Sequence, residues 1–146
     1  PHDLALGLAE DEIGRRLPPG WFRRGQSAVT TPESEPEPDL AVVRGNRRDY
    51  ATRHPGPQDM GLVVEVAEAS LQTDRTMKGP LYARAGLPVY WIVNVADMQV
   101  EVYTDPSSSH PTPGYATART YGVGAAVPFV LDGVLIDQVP VRDLLP

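Results

Sequence analysis

Hydrophobic residues fall into short runs along the chain, and their spacing predicts where helices and strands form. The first pattern is helical: it begins at Asp3, a candidate N-cap, and ends before Pro18. Its apolar stripe consists of Leu6, Ala9, Ile13 and Leu17. Trp21–Thr31 is then predicted as a strand, followed by a proline and glutamate stretch. That stretch should be extended, because residues before proline avoid helical angles.

The most continuous apolar run lies at Gly61–Ala67 and predicts a central strand that is buried on both faces. Its one charged residue is Glu65, where a buried strand normally carries none. A shorter run at Leu40–Val43 predicts a second buried strand, and Asp39 directly precedes it. The chain is therefore expected to place two carboxylates in or beside its central strands.

A helix is predicted over Leu71–Ala85, with Ser70 as its N-cap and Gly86 as its C-cap. Pro80 lies inside this segment and should kink it, because proline has no backbone N–H to donate to the preceding turn. The predicted order of elements up to this point is one helix, three strands and a second helix.

The remainder of the chain is predicted to be rich in strands. Met98–Thr104 alternates between apolar and polar residues, which indicates a half-exposed strand with Glu101 on its outer side. Asp105–Gly114 contains three serines and three prolines and is predicted as a surface loop. The other predicted elements are strands at Val89–Val95, Tyr115–Tyr121, Ala126–Val130 and Val134–Ile136 and a terminal helical turn at Val141–Leu145. This order predicts a mixed α/β (α+β) fold.

Length and composition narrow the class of protein. The 146 residues are predicted to form one domain, 1–146, and the start at Pro1 suggests a missing N-terminal segment. No apolar run approaches the roughly 20 residues of a membrane span. The chain has no cysteine, which excludes disulfides and thiolate metal sites and fits a cytoplasmic location. Its three histidines are not spaced as metal ligands, so any metal should be a hard cation held by oxygen atoms.

The charge distribution is uneven. A net charge of −6 disfavours a protein coated in basic surface for nucleic acid. Two arginine clusters, in segments 15–24 and 44–53, nevertheless make parts of the chain locally basic; solvated loops are the simpler alternative for each. Lys78 is the only lysine among 13 basic residues. Lysine offers a compact charge whose pKa can shift, unlike guanidinium.

Asp39 and Glu65 are predicted to lie side by side. If their two strands are neighbours, facing side chains lie about 5 Å apart. The carboxylates would then repel each other unless a cation lies between them, and Mg²⁺ with oxygen ligands near 2.1 Å would fit the gap. Asp39 could instead cap a turn. For Glu65 a purely structural role is less favoured, because a lone buried carboxylate is costly unless it is paired or bound.

Lys78 is predicted to face the sheet. At about 100° per residue, it shares one helical face with Leu71, Asp74, Leu81, Tyr82 and Ala85. A charge at that position needs a partner, which Asp39 or Glu65 would supply. The alternative is a simple pair between Asp74 and Lys78, one helical turn apart, which contributes only about 0.3–0.5 kcal/mol when exposed.

Three segments together resemble the Uma2 family of restriction-endonuclease-like proteins, also called DUF820, within the PD-(D/E)XK nuclease superfamily. They are EPDLAVV at Glu37–Val43, LVVEVAEASLQTDRTMK at Leu62–Lys78 and YARAGLPVYWIVN at Tyr82–Asn94. The resemblance extends from about Leu17 to the C-terminus. It implies a restriction-endonuclease-like core, with a mixed central sheet flanked by helices.

The resemblance also implies site residues. It assigns Asp39 and Glu65 as the superfamily acids and implies Mg²⁺, with Mn²⁺ as a substitute, held by Asp39, Glu65 and the carbonyl of Val66. The superfamily lysine normally lies two residues after the second acid, where this chain has Ala67. In Uma2-like proteins a helix lysine takes its place, which here is Lys78. The N-terminal ELIDG-like motif of the family is not found in this chain.

The function expected from sequence is a Mg²⁺-dependent endonuclease that hydrolyses DNA and leaves a 5′-phosphate and a 3′-hydroxyl. Asp39, Glu65 and Lys78 are its predicted catalytic residues. Cutting both strands favours a homodimer by symmetry. The alternative from another class is a catalytically inactive nuclease-fold module that binds nucleic acid or a protein partner. A hydrolase acting on another phosphoester would use the same site.

Overall fold

In the computed structural model, which describes residues 1–107 and 114–146, six strands form one mixed sheet in sequential order. They are β1 (Trp21–Gly25), β2 (Leu40–Arg44), β3 (Met60–Ala67), β4 (Val89–Asn94), β5 (Gln99–Ser107) and β6 (Gly114–Gly122). Two further strands, β7 (Ala126–Leu131) and β8 (Val134–Pro140), form an antiparallel hairpin. The predicted mixed α/β architecture with a β-rich C-terminal part is confirmed.

The sheet is antiparallel except at its centre, where β3 and β4 run parallel. A parallel pair needs a long crossover, and here the crossover is the segment between Ala67 and Val89. This segment contains Lys78, so the connection that makes the parallel pair also carries the chain's lysine across one face of the sheet. β1 and β6 form the two edges.

The crossover helix is irregular, and its geometry follows from Pro80. It consists of α2 (Leu71–Thr73), a π-helical turn (Asp74–Lys78) and α3 (Gly79–Arg84). The predicted kink at Pro80 is thus a wider turn, in which Gly79 N–H donates to the Asp74 carbonyl. π-turns of this kind often occur at functional sites.

Each face of the sheet buries its own apolar cluster. One face packs against α1 (His2–Gly14) and the β7–β8 hairpin, with Trp91 and Phe129 at its centre. The other face packs against the crossover helix through Tyr82, Tyr90 and Leu87. None of the helices in the described residues is long and apolar enough to cross a membrane.

Several predicted element boundaries differ from those in the structure. Pro1, not Asp3, precedes the first helical residue, and Asp3 lies in the first turn of α1. The helix ends at Gly14, and the first strand ends at Gly25 instead of Thr31. Ser70 is the N-cap of α2, as predicted, although its side chain makes no capping hydrogen bond. Ala85, and not the predicted Gly86, is the C-cap of α3, and Gly86 follows at positive φ.

The predicted loop 105–114 is only partly a loop. β5 continues to Ser107 and β6 begins at Gly114, so both ends of the segment belong to strands. The rest of that prediction falls on residues 108–113, outside the described residues.

Gly61 marks a close approach between the sheet and the hairpin. A Cβ atom there would lie 2.7 Å from Leu131 Cδ2 and 3.0 Å from a ring carbon of Trp21. Gly61→Ala is therefore expected to lower the free energy of unfolding by about 1–3 kcal/mol. Thermal unfolding measures this. Gly7→Ala, a helical site with open space, is the control and should gain about 0.5–1 kcal/mol. A Gly61→Ala protein as stable as wild type, or more stable, would contradict this packing.

Candidate active site

The structure brings Asp39 and Glu65 together across two antiparallel strands. Leu40 pairs with Val64, so Asp39, one residue before β2, lies beside Glu65 in β3. The backbone N–H of Asp39 donates to Glu65 Oε1 at 3.1 Å. In return, the N–H of Val66 donates to Asp39 Oδ2 at 2.8 Å. These reciprocal bonds fix both carboxyl groups at the same point of the sheet.

Glu65 is a buried carboxyl group that its partners hold in place. Its exposed fraction is 1%. Burial raises its pKa to about 7, although Lys78 and the amide of Asp39 favour the charged form. The hydroxyl of Tyr82 donates to Glu65 Oε2 at 3.0 Å. Glu65 is therefore poised near neutral pH to bind either a proton or a cation.

Lys78 reaches the same point from the crossover helix. Its Nζ lies 3.1 Å from Glu65 Oε2 and 3.5 Å from Asp74 Oδ1, and the side chain is 38% exposed. Burial lowers its pKa, but the charges of Glu65 and Asp74 outweigh burial, so the net shift is upward. The Lys78 amine is accordingly an ammonium group at neutral pH.

Asp74 is as buried as Glu65, in keeping with its predicted place on the inner face of the helix. Its exposed fraction is 1%, and burial raises its pKa. The hydroxyl of Ser70 donates to Asp74 Oδ2 at 2.9 Å, while Oδ1 accepts no hydrogen bond and faces Lys78. Lys78 thus pairs with two carboxylates, those of Glu65 and Asp74, and Asp39 lies beside Glu65. This excess of negative charge suits a cation.

Two further contacts were missed at the sequence level. His2, in the first turn of α1, places its Nε2 3.4 Å from Asp39 Oδ2. Tyr82 was predicted on the inner face of the helix, but its bond to Glu65 was not predicted. No local pattern relates residue 2 to residue 39, because the contact arises only when α1 packs on the sheet.

The donors at this point fit a hard divalent cation. Asp39 and Glu65 offer carboxylate oxygens, which are the ligands that Mg²⁺ prefers. In a strand, the N–H and C=O of one residue face the same neighbouring strand, so the Val66 carbonyl faces the side on which its N–H meets Asp39. Within the described ranges, no three Asp, Glu or His side chains form a metal-binding group. A metal here would rely on two carboxylates and a backbone oxygen.

Another buried carboxylate, Glu101, lies on the same face of the sheet as Glu65. The sequence predicted it on an exposed side, but it is 3% exposed. Arg75 forms a bidentate pair with it through Nε, at 2.9 Å, and Nη2. Tyr103 Oη donates at 2.6 Å and Asn94 Nδ2 at 2.9 Å. Burial alone would raise the pKa of Glu101, but these bonds outweigh it and lower the pKa to about 2.

This shift predicts a dependence of stability on acid pH. Between about pH 4.5 and 2 the unfolded chain protonates Glu101 and the folded chain does not, so stability falls as pH drops through that window. The pair should contribute on the order of 2 kcal/mol above pH 4.5. Urea unfolding should show that the difference in free energy of unfolding between wild type and Glu101→Gln becomes smaller as the pH falls towards 2. Glu33→Gln, in an exposed pair with Arg84, is the control. A difference for Glu101→Gln that does not change with pH would refute the assignment.

The predicted arginine clusters lie near the β1 edge of the sheet. Arg23 and Arg24 are in β1, and Gln26 N–H, just after β1, donates to the carbonyl of Asp39 at 3.1 Å. Arg47 and Arg48 form the exposed 3₁₀ turn Arg47–Tyr50, and the Arg47 guanidinium lies 5.5 Å from the centre of the Phe22 ring. The edge strand therefore connects an arginine-rich surface to the carboxylates.

The mixed central sheet and its crossover helix define the fold as restriction-endonuclease-like. The chain is similar in structure to a crystal structure described as "a putative nuclease belonging to DUF820 from Anabaena variabilis ATCC 29413". The TM-score is 0.74, with 14% sequence identity over 98% of this chain and 79% of that chain. At this identity the likeness shows the fold alone. Comparison with curated proteins gives no match.

The family follows from the sequence model. The model described as "Uma2: Putative restriction endonuclease" matches residues 3–128. The chain belongs to the Uma2 family, as the motif resemblance predicted. Family and fold together support nuclease activity.

Proposed function

We propose that this protein is a divalent-metal-dependent endonuclease that hydrolyses phosphodiester bonds in DNA. The observation that carries the proposal is the meeting of Asp39, Glu65 and Lys78, which are up to 39 positions apart in the chain, at one point of the sheet. Hydrolysis forms a bond from the water oxygen to phosphorus and breaks the bond to the 3′-oxygen. A proton passes to that leaving oxygen, which gives a 5′-phosphate and a 3′-hydroxyl.

Asp39, Glu65 and the carbonyl of Val66 would hold Mg²⁺, with Mn²⁺ as a substitute. A bound cation lowers the pKa of coordinated water and offsets charge on the phosphoryl oxygens. Hydrogen bonds within the protein fix the positions of these side chains independently of a cation. The Glu65 carboxylate accepts from the backbone N–H of Asp39, and the Asp39 carboxylate accepts from the backbone N–H of Val66. Tyr82 fixes the second oxygen of Glu65.

In this proposal Lys78 acts through its positive charge and not as a general base. With its pKa raised by Glu65 and Asp74, the amine is protonated at neutral pH and has no lone pair to accept a proton. An ammonium group beside Glu65 can donate hydrogen bonds to the attacking water and to the phosphoryl oxygens. Fixed donors of this kind stabilise the charge that develops in phosphoryl transfer.

The β1 edge favours DNA as the substrate. Phosphate contacts provide most of the affinity in DNA binding, and arginine is well suited to them. Arg47 and Arg48 are exposed and have no carboxylate partner among the described residues, so they are available for phosphates beyond the cleaved bond. The net charge of −6 makes this local surface, and not the whole molecule, the expected contact.

Two assays on one preparation test the proposal. Supercoiled plasmid should be nicked or cut with Mg²⁺ or Mn²⁺ and remain intact with EDTA. Calorimetric titration with Mn²⁺ should show saturable binding that Asp39→Ala abolishes, whereas Asp11→Ala, an exposed acid in α1, leaves it unchanged. No cutting and no binding at millimolar metal would overturn the proposal in favour of a non-catalytic binding module.

A further inference from the structure

The position of Lys78 depends on a backbone turn that is not a regular helix. The π-helical turn Asp74–Lys78 is closed by Gly79 N–H and by the hydroxyl of Tyr90, both of which donate to the Asp74 carbonyl. Pro80 follows and has no N–H with which to extend a normal ladder. A π-turn is short and rarely stable alone, so contacts outside the helix must fix where its side chains point.

Two cations on this segment contact two buried glutamates of the sheet. Lys78 pairs with Glu65 in β3, and Arg75, three residues earlier, pairs with Glu101 in β5. Ile92 in β4 lies between them, since it is opposite both Glu65 and Glu101 in the strand register. The two contacts are therefore about 10 Å apart across the sheet, the width of two strand spacings. Two anchors at that separation restrict both the rotation and the sliding of the turn.

The Arg75–Glu101 contact is the more rigid of the two. It is bidentate, which fixes orientation as well as distance. Glu101 is also held by Tyr103 and Asn94, so its carboxylate presents a preset position for the guanidinium. Arg75 does not touch Glu65, Asp39 or Asp74 by any hydrogen bond or ion pair in the described part of the chain. Its effect on the site must act through the turn.

We propose that Arg75 and Glu101 are positioning residues that hold the π-helical turn so that the Lys78 ammonium stays against Glu65. Their effect on catalysis rests on the proposed nuclease function. Their effect on the position of Lys78 does not, and it can be measured without any substrate.

Lys78 is the only lysine of the chain, so ¹³C-lysine labelling gives one side-chain spin system in an NMR spectrum. The two hydrogens on Cε of a held lysine have different shifts, whereas rapid rotamer exchange makes them equal. Wild type should show two resolved Hε signals. In Arg75→Gln they should merge, and kcat for DNA cleavage should fall by about tenfold or more with little change in KM.

Arg84→Gln is the matched control, because Arg84 is in the same helical segment but pairs with exposed Glu33. It should keep two signals and wild-type kcat. Glu101→Gln, which keeps the shape of the side chain and one acceptor oxygen but loses the charge that pairs with Arg75, serves as the second variant if Arg75→Gln does not fold by circular dichroism. It should behave like Arg75→Gln.

The proposal is overturned if wild type shows a single averaged signal, or if a folded variant keeps both signals. If the signals merge while kcat is unchanged, the part of the proposal that links the position of Lys78 to catalysis is overturned. If wild type cuts no DNA, the proposed function fails, and the NMR comparison still decides whether the pair positions Lys78.

Discussion

Replacing Glu65 by glutamine is expected to abolish Mg²⁺-dependent DNA cleavage while the protein stays folded. Glutamine has the shape of glutamate, with one carboxylate oxygen replaced by an amide nitrogen, but it lacks the charge that would hold the cation and pair with Lys78. The loss should be at least about thousandfold in kcat/KM, or about 4 kcal/mol of transition-state stabilisation. Single-turnover cleavage of a labelled duplex measures it.

The fold should tolerate this change because Glu65 already has a pKa of about 7. At neutral pH its neutral form is well populated, and the amide oxygen can still accept from Asp39 N–H while the amide N–H donates to the Tyr82 oxygen. Glu68→Gln is the matched control, since Glu68 is exposed just beyond β3. Cleavage by Glu65→Gln at the rate of the Glu68→Gln control would contradict the assignment of Glu65.

Replacing Lys78 by methionine is expected to lower kcat by about a hundredfold, the usual cost of removing one fixed donor to the transition state. Methionine keeps much of the aliphatic length but supplies no charge beside Glu65 and Asp74. Asp39 and Glu65, the carboxylates proposed to hold the metal, remain, so the KM for DNA should change little. Lys78→Arg should not restore the rate, because a planar guanidinium is larger and cannot place one compact charge at the same point.

Steady-state rates with saturating Mg²⁺ provide the measurement. Arg84→Met is the control, because it removes a cation from the same segment without touching the carboxylates. Wild-type kcat in Lys78→Met would show that this lysine only offsets buried charge. It would also contradict the proposal that Lys78 takes the role of the superfamily lysine, whose usual position is occupied here by Ala67.

The central part of the fold could be predicted because its signals are local. The apolar run around Glu65 becomes β3, the run after Asp39 becomes β2, and the two strands are neighbours, which the prediction about the two acids required. The one acid inside the β3 run indicated the site, since burying an unpaired carboxylate is costly. Lys78 was found by its projection onto the inner face of a helix, although the actual helix is irregular.

The other features of the fold and of the site depend on contacts between residues far apart in the chain, which sequence periodicity does not encode. Glu101 alternates as an exposed residue would, but Arg75 from a distant helix and two neighbours on the sheet pair it in the interior. His2 meets Asp39 only through the packing of α1. Boundary errors at Asp3 arose for a similar reason, since tertiary packing of the apolar stripe, and not a capping side chain, sets where α1 begins.

The most direct test of the central claim is a crystal structure with Mn²⁺ and anomalous diffraction data. The account predicts one strong anomalous peak within about 2–2.5 Å of carboxylate oxygens of both Asp39 and Glu65, with the Val66 carbonyl on the same side and Lys78 Nζ still beside Glu65. A well-ordered site without any peak at saturating Mn²⁺, or a peak held by other residues, would contradict it.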